Sequence, residues 1–363
     1  MKIIFLGDFV PGGVKTNDLE FINQDVLNEL KSADLCVTNL EGPFGGDDFE
    51  FDEKTMVDEK NIIYSPDVDI EKLTYLGVNV VSLANNHIHN LGKKGLAHTI
   101  SILDKFGIQH TGAGNNIKEA RKPCVVNVGG KSVAFIGCCA TDDFIGYVQV
   151  ATNNEYGVNP INVEFLIKQI KELKELYDYV YIIPHWGMER RIFVLNKYKT
   201  IAYRMIDAGA DGVIGSHTHC VQPTIFYKGK PICFSLGNFF FPDYYQQPVL
   251  PIWYPQKDDK VANLRITSDY VQSDDYRKFV WNDFTRIGKV EKIKLDNNKV
   301  IVTDKFVRLN ADNIVEFYNN DKLERKLKYI GKWISSNTYC LIWFYLVFGR
   351  KCKHLIRKIG LIK

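Results

Sequence analysis

Several things are missing from this chain of 363 residues, and each absence excludes something. No apolar run is long enough to cross a bilayer. The longest, "YCLIWFYLVF" at 339–348, makes a helix of roughly 15 Å, about half the hydrocarbon thickness. The opening "MKIIFLGDFVPGG" holds only five apolar residues before Asp8, too few for the apolar stretch of a secretory leader. Export by the usual route is therefore not expected, and a cytoplasmic location is. Eight cysteines include no C-x-x-C pair, which argues against a zinc ribbon or a disulfide framework. Cys138 and Cys139, inside "SVAFIGCCA", read as buried thiols of a reducing compartment. There is no Gly/Ser-rich linker and no internal repeat to force a division into small domains. What remains, 45% apolar and 25% charged, is ordinary for a globular chain able to bury a large core.

The net charge of +3 conceals an asymmetry. From Lys322 to Lys363 there are eleven Lys and Arg against one acid, Glu324, leaving 35 basic and 42 acidic residues elsewhere. In "RKCKHLIRKIGLIK", Leu355, Ile356, Ile359 and Ile362 share one helical face with Lys and Arg opposite. That pattern suits a helix lying in a membrane interface. A C-terminal helix capping the domain would use the same residues. No nucleic-acid motif accompanies the charge, so nucleic acid is not expected as a partner. The division expected is a main domain over 1–310 followed by a basic, partly apolar helical segment over 311–363.

Apolar runs alternate with helix-period segments along the chain. Strands are expected at 2–6, 34–39, 78–83, 123–128, 132–138, 178–183, 211–215, 222–227 and 230–235. Helices are expected at 18–31, 66–76, 92–106, 160–175 and 197–208. The first half reads β-α-β-α-β-α, the pattern of parallel strands flanked by helices. "VNVGGKSVAF", "IFYKGKPICF" and "KIKLDNNKVIV" read as hairpins, so the sheets should be mixed.

The polar residues fall at one place on that scaffold. Asp8 follows the first strand, Asn39 and Glu41 the second, and Asn85, Asn86 and His87 the third. His185 follows "YVYIIP", and His217 and His219 follow "DGVIG". Singly, each has a plain reading: Asp8 caps a turn, Asn86 makes one, His185 is a hydrogen-bonded core histidine. The pair His217 and His219 is either a metal site or a polar loop. Together they bring carboxylates, imidazoles and amides to the carboxyl ends of five strands, where open α/β sheets bind ligands. Such a donor set suits two ions of Mn, Fe or Zn. Two such ions would clamp an in-line displacement, and phosphoester hydrolysis fits best.

"GDFVPGG", "NLEGP", "SLANNHIHNLG", "IIPHWGME", "GADGVIGSHTHCVQP" and "KPICFSLGNFFF" occur in the order found in the CapA (PgsA-like) capsule and poly-γ-glutamate synthesis proteins. The chain resembles that family over about residues 1–245, and the family is similar to the calcineurin-like metallophosphoesterases. The resemblance implies an α/β fold, a four-layer α-β-β-α sandwich with mixed sheets, carrying a dinuclear centre. It places Asp8, Glu41 and His219 on one metal. Glu41 as bridge, with Asn86, His185 and His217, would hold the other, and His87 would act as general acid. Asn39, Asn85 and Glu189, with Tyr244 and Trp253, are expected to meet substrate. Tyr244, Tyr245, Trp253 and Tyr254 lie in "FPDYYQQPVLPIWYPQKDD", which reads either as a lid or carbohydrate-stacking wall or as a loop pinned by its own aromatics.

Three departures stand out. Where the broader superfamily has D-x-H, Asp8 is followed two residues on by Val10, so the first metal position is depleted. Glu41 replaces the usual bridging Asp, and Asn90 stands where relatives often have Asp. The function expected is metal-dependent phosphoester hydrolysis in the making of bacterial capsule or another surface polymer, poly-γ-glutamate or polysaccharide. The alternative is a non-catalytic, metal-containing component that binds polymer or sugar phosphate. A third reading, the making or cutting of γ-glutamyl amide bonds, rests on the family's name alone. Expected partners are a polymer precursor or small phosphoester, the inner membrane surface and polymer-synthesis proteins.

Overall fold

In the computed structural model, residues 1–15, 18–45, 62–246, 265–267, 277–296, 299–336 and 339 are described. Two mixed sheets form the centre. The first runs Val315–Phe317, Lys299–Leu309, Ile287–Asp296, Lys2–Phe9, Leu35–Leu40, Val80–Ser82 and Gln109–Thr111 across its width. The second runs Thr224–Tyr227, Lys230–Cys233, Gly212–Ile214, Tyr179–His185, Lys131–Cys139 and Cys124–Val128. The β-α-β stretches give parallel neighbours, and the three expected hairpins give antiparallel ones.

Side-chain alternation explains why the strands read as continuous apolar runs, since both faces are covered. Ile3 and Phe5 join Leu35, Val37 and Val80 of their own sheet, and Val133, Phe135, Tyr181 and Ile183 of the other, in a core between the sheets. Phe5 meets Phe135 at 6.2 Å and Tyr181 at 5.4 Å between ring centroids, tying the two layers together. The alternate residues Ile4, Leu6, Cys36, Val81, Ala134, Ile136, Val180 and Ile182 face outward and pack with the helices. Helix Val163–Leu176 shows the logic. Asn162 caps it by accepting from the Phe165 N–H at 3.1 Å, and Leu166, Ile170 and Leu173 fall on its buried stripe. Two helix-covered sheets face to face make the α-β-β-α sandwich.

Two boundaries differ from expectation for tertiary reasons. The helix expected from 18 begins at Gln24, because Phe21 and Asn23 instead hydrogen-bond Val315 at 2.7 and 2.8 Å. The chain beyond 310 enters the fold: Val315–Phe317 is the edge strand of the first sheet. Helix Asp321–Ile334 then buries Leu323, Leu327, Ile330 and Ile334, and the Tyr339 hydroxyl donates to the Val194 carbonyl at 2.6 Å. The apolar and basic residues 340–363, with the expected interfacial helix, lie outside the described residues.

A close approach places the first strand end. Strand Lys2–Phe9 shifts register at Asp8 and pairs there with Asn238–Phe240, and the Asp8 N–H donates to the Gly237 carbonyl at 2.9 Å. A Cβ on Gly7 would stand 1.9 Å from that carbonyl oxygen. Backbone cannot yield as a side chain does, so Gly7→Ala should lose roughly 3 kcal/mol of unfolding free energy. Urea denaturation checks this, and an unchanged midpoint would contradict the close packing at this crossing.

Candidate metal centre

The strand ends converge as the loop chemistry requires. Asp8, Glu41 and His219 are all buried, and one donor atom from each lies within 4.8 Å of the others. His219 Nδ1 is 3.5 Å from Asp8 Oδ2, and its Nε2 is 3.6 Å from Glu41 Oε1. A second group stands beside it: His185 Nε2 lies 2.8 Å from Asn86 Oδ1 and 3.1 Å from His217 Nδ1. Those are hydrogen-bond spacings. They are also ligand spacings, since two donors bound ~2.1 Å from one ion stand about 3.0–3.4 Å apart.

Hydrogen bonds set which ring nitrogens carry lone pairs. His217 Nε2 lies 3.3 Å from the Phe144 carbonyl, which can only accept, so Nε2 holds the proton and Nδ1 the lone pair. Asn238 donates its Nδ2 to the Thr285 carbonyl and therefore presents Oδ1 to His219 Nδ1, at 2.8 Å. That leaves His219 Nε2 as an acceptor facing Glu41. His185 Nδ1 is 3.0 Å from Ser216 Oγ, directing Nε2 inward. Orienting partners of this kind are what metal-binding histidines require. The turn that carries the pair is strained for the same end, with His217 at φ 93° and His219 at φ 51°, where side-chain-bearing residues rarely sit.

Electrostatics mark the centre as built for a cation. Burial raises the Asp8 carboxyl against the lowering pull of His219. Burial raises Glu41 much further, and the negative neighbours Asp8 and Glu189 add to it. Neither Glu41 oxygen accepts a hydrogen bond from a described group. An undonated buried carboxylate beside a second one is costly unless a positive ion offsets it. Burial pushes His217 down to about 4, and burial with the neighbouring imidazoles holds His185 well below the usual histidine range. Both rings are thus neutral near pH 7, the state that ligates. The residues fit divalent ions.

The remaining candidates separate. Asn39 and Asn85, expected at the substrate, are buried and spend their amides within the protein. Asn39 donates to Asp8 Oδ1 at 2.9 Å, and Asn85 donates to Asn39 Oδ1 at 3.2 Å and to the Leu40 carbonyl at 2.8 Å. They brace the carboxylate. Half-buried His87 has its Nδ1 3.0 Å from Asn90 Oδ1. Because that oxygen also accepts from the Ile63 N–H, Nδ1 of His87 is the donor in that bond. Glu189 stands exposed at the rim, its carboxyl lowered because His219, His217 and His87 together outweigh the raising effect of burial. Tyr244 joins the Phe241 and Trp281 rings, which flank His219 at 5.6 and 5.3 Å. Val10 sits in that same apolar cluster, with Ile63, Phe241 and Trp281. Trp253 and Tyr254 lie outside the described residues.

Three positioning groups escaped sequence reasoning. Asn238 lay within "SLGNFFF" with no role attached, Ser216 looked like turn filler, and the Phe144 carbonyl has no side-chain signature at all.

Paired α-covered sheets gather carboxylates, amides and imidazoles at their strand ends, a fold with one buried candidate metal site. Residues 2–243 match the bacterial capsule synthesis protein family PGA_cap, and the chain belongs to that family. It is 32% identical over 243 residues to the "Capsule biosynthesis protein CapA" of Bacillus anthracis, covering 66% of this chain and 58% of that one. It is 29% identical over 239 residues to the "PGA biosynthesis protein CapA" of Bacillus subtilis (strain 168), covering 66% and 61%. The chain thus spans about three fifths of the length of these curated relatives. A solved structure of a hypothetical protein from Thermus thermophilus overlays with a TM-score of 0.47 at 15% identity, covering 88% of this chain and 100% of that one.

Proposed function

We propose that this protein hydrolyses a phosphoester during the assembly of a bacterial capsule or related surface polymer. The observation that carries the reading is the buried Glu41 carboxylate, undonated beside Asp8 and flanked by two groups of oriented ligand atoms. Asp8, Glu41 and His219 would hold one divalent ion, and Asn86, His185 and His217, with Glu41 shared, the other. A bound pair of this kind supplies Lewis-acid polarisation of a phosphoryl oxygen and an acidified water. The protein's own parts do the rest. Asn39 holds Asp8 in place, Ser216 and Asn238 orient two of the imidazoles, and His87 Nε2 delivers a proton to the departing alkoxide.

The test is metal analysis of the purified chain followed by a panel of phosphomonoesters and phosphodiesters. Metal with no turnover of any ester would favour the second reading, a component that binds sugar phosphate without cleaving it. The packing of Val10 where a ligand is absent favours that reading.

We further propose peripheral attachment to an anionic membrane surface through the basic C-terminal segment. Among the described residues no helix is long and apolar enough to cross a membrane. Helix Asp321–Ile334 turns its apolar stripe inward and leaves Lys322, Arg325, Lys326 and Lys332 exposed. Each Lys or Arg near an anionic surface adds about 1 kcal/mol, and residues 340–363 hold six more. A chain ending at Tyr339, which keeps the bonds to Val194, should bind phosphatidylserine vesicles far more weakly than the full chain. Raised salt should weaken the full chain as well. Equal sedimentation of the two chains with vesicles would end this proposal.

A further inference from the structure

Among the described residues, two segments beside the centre are not used by the proposed chemistry. On the His217 side lies the loop 141–147. Its Phe144 carbonyl meets His217, and the Tyr147 ring stands 5.3 Å from His89. Asp142 holds this loop rigidly, accepting from Lys197 at 2.6 Å, from the Tyr198 hydroxyl and from the Phe144 N–H at 3.1 Å. Ile145 is buried as its anchor, yet Phe144 and Tyr147 are 40% and 48% exposed. Single exposed aromatics need no explanation. Two of them on a pinned loop whose backbone touches a ligand histidine offer exposed aromatic surface at the edge of the site, with the Lys197 ammonium 5.1 Å from the Phe144 ring centroid.

On the His219 side stands Arg190. Its N–H donates to the Thr218 carbonyl at 2.8 Å, so it is tied to the turn that carries both histidines. Its backbone is left-handed, with φ 56°, a conformation that disfavours a residue with a long side chain. The guanidinium lies 5.9 Å from the Trp281 ring, the ring that also flanks His219. Among the described residues it makes no ion pair.

The charge of these two segments bears on substrate class. They contribute Asp142, Asp143 and Glu189 against Arg190, Arg191 and Lys197, and Lys197 is already bonded to Asp142. A chain with a carboxylate on every unit, such as poly-γ-glutamate, calls for a cationic track, and these two described segments are balanced in charge. One open guanidinium and two exposed aromatic rings suit a single phosphate attached to a ring.

We propose that the site takes a phosphorylated pyranose, with Arg190 on the phosphate and the sugar face against Phe144 and Tyr147. This deepens the phosphoester reading and rests on it. Arg forms directional, charge-assisted bonds to phosphate, and aromatic faces pack against the C–H face of a sugar ring.

The test uses the full chain with its metal content measured first, and calorimetric titration with phosphonate analogues so that turnover does not obscure binding. The probes are analogues of a pyranose phosphate and of glycerol phosphate, together with a γ-linked glutamate oligomer. The ring-bearing probe should bind about tenfold tighter than the glycerol one, a difference equal to one stacking contact. Phe144→Ser with Tyr147→Ser should abolish that difference, because the ring-bearing probe loses its stacking contact. Arg190→Met should weaken both phosphonates by about tenfold with metal content unchanged, and Arg190→Lys should recover part of the loss. Tighter binding of the glutamate oligomer, a ring preference that survives the double substitution, or an Arg190→Met chain of full affinity would each overturn the proposal. A wild-type chain that holds no divalent ion would overturn the phosphoester reading and this inference with it. Metal retained with no ring preference would overturn this inference alone.

Discussion

Purified His217→Ala protein should hold little of the divalent metal that the wild-type chain retains, and His185→Ala should behave alike. Both imidazoles are buried and neutral and aim a ring nitrogen at the same point, 3.1 Å apart. Removing even an outer partner of a ligand typically weakens metal affinity by 10–100-fold, so loss of a ligand itself should exceed that range. In the proposed ligand set, His217→Ala leaves Asn86 Oδ1, His185 Nε2 and the shared Glu41 as the remaining ligands of that ion. Elemental analysis after dialysis measures the effect directly. Thermal unfolding gives a second reading, because an ion that binds only the native state raises the midpoint. Added Mn²⁺ or Zn²⁺ should raise the wild-type midpoint and leave that of His217→Ala unmoved. A suitable control is His98→Ala, since His98 lies on the surface and bonds Asp67 at 2.9 Å. It should keep full metal. Equal metal in wild type and His217→Ala would remove the basis for the whole assignment.

His87→Gln should retain the metal and lose turnover by about 10²–10⁴-fold, the usual worth of a positioned proton donor. The structure separates His87 from the ligand atoms: its Nδ1 is engaged by Asn90, and the side chain is only half buried. The loss should depend on the leaving group. An alkyl phosphate departs as a strongly basic alkoxide and needs the proton, whereas a nitrophenolate departs without one. The variant should therefore be severely impaired on a sugar or glycerol phosphate and mildly on p-nitrophenyl phosphate. Equal impairment on both would assign His87 a structural role, and metal loss would make it a ligand. Asn90 enters the same argument. An amide cannot draw the His87 proton as a carboxylate would, so Asn90→Asp should make His87 a weaker acid and move the alkaline limb of the rate profile, where the proton donor is lost, to higher pH.

The strand ends were legible because their signal is local. A parallel strand covered on both faces must be apolar throughout, so the first polar residue after it marks the edge. Asp8, Glu41, His185 and the 217–219 pair declared themselves in this way. What those polar residues do there was not legible. Asn39 and Asn85 occupy the same kind of position as Asn86, yet two amides brace the carboxylate and the third faces His185. Sequence position does not distinguish an amide that faces a ligand from one that supports a neighbour, because the difference lies in where the side chain turns.

By itself, then, the amino-acid order determined the alternation of buried strands and amphipathic helices, the edge at which the polar residues collect and the residue types available there. Each of these is carried by near neighbours in the chain. The tertiary structure decided the rest. It set the lone pairs of His217 and His219 through a carbonyl 73 residues distant and an amide at Asn238. It left Glu41 undonated, packed Phe241 and Trp281 around Val10, and drew the chain beyond 310 into the first sheet and against the edge strand of the second. Those outcomes depend on backbone groups and on contacts between residues far apart in the chain. A backbone carbonyl is the same in every residue, so no letter of the sequence announces which one will meet a histidine.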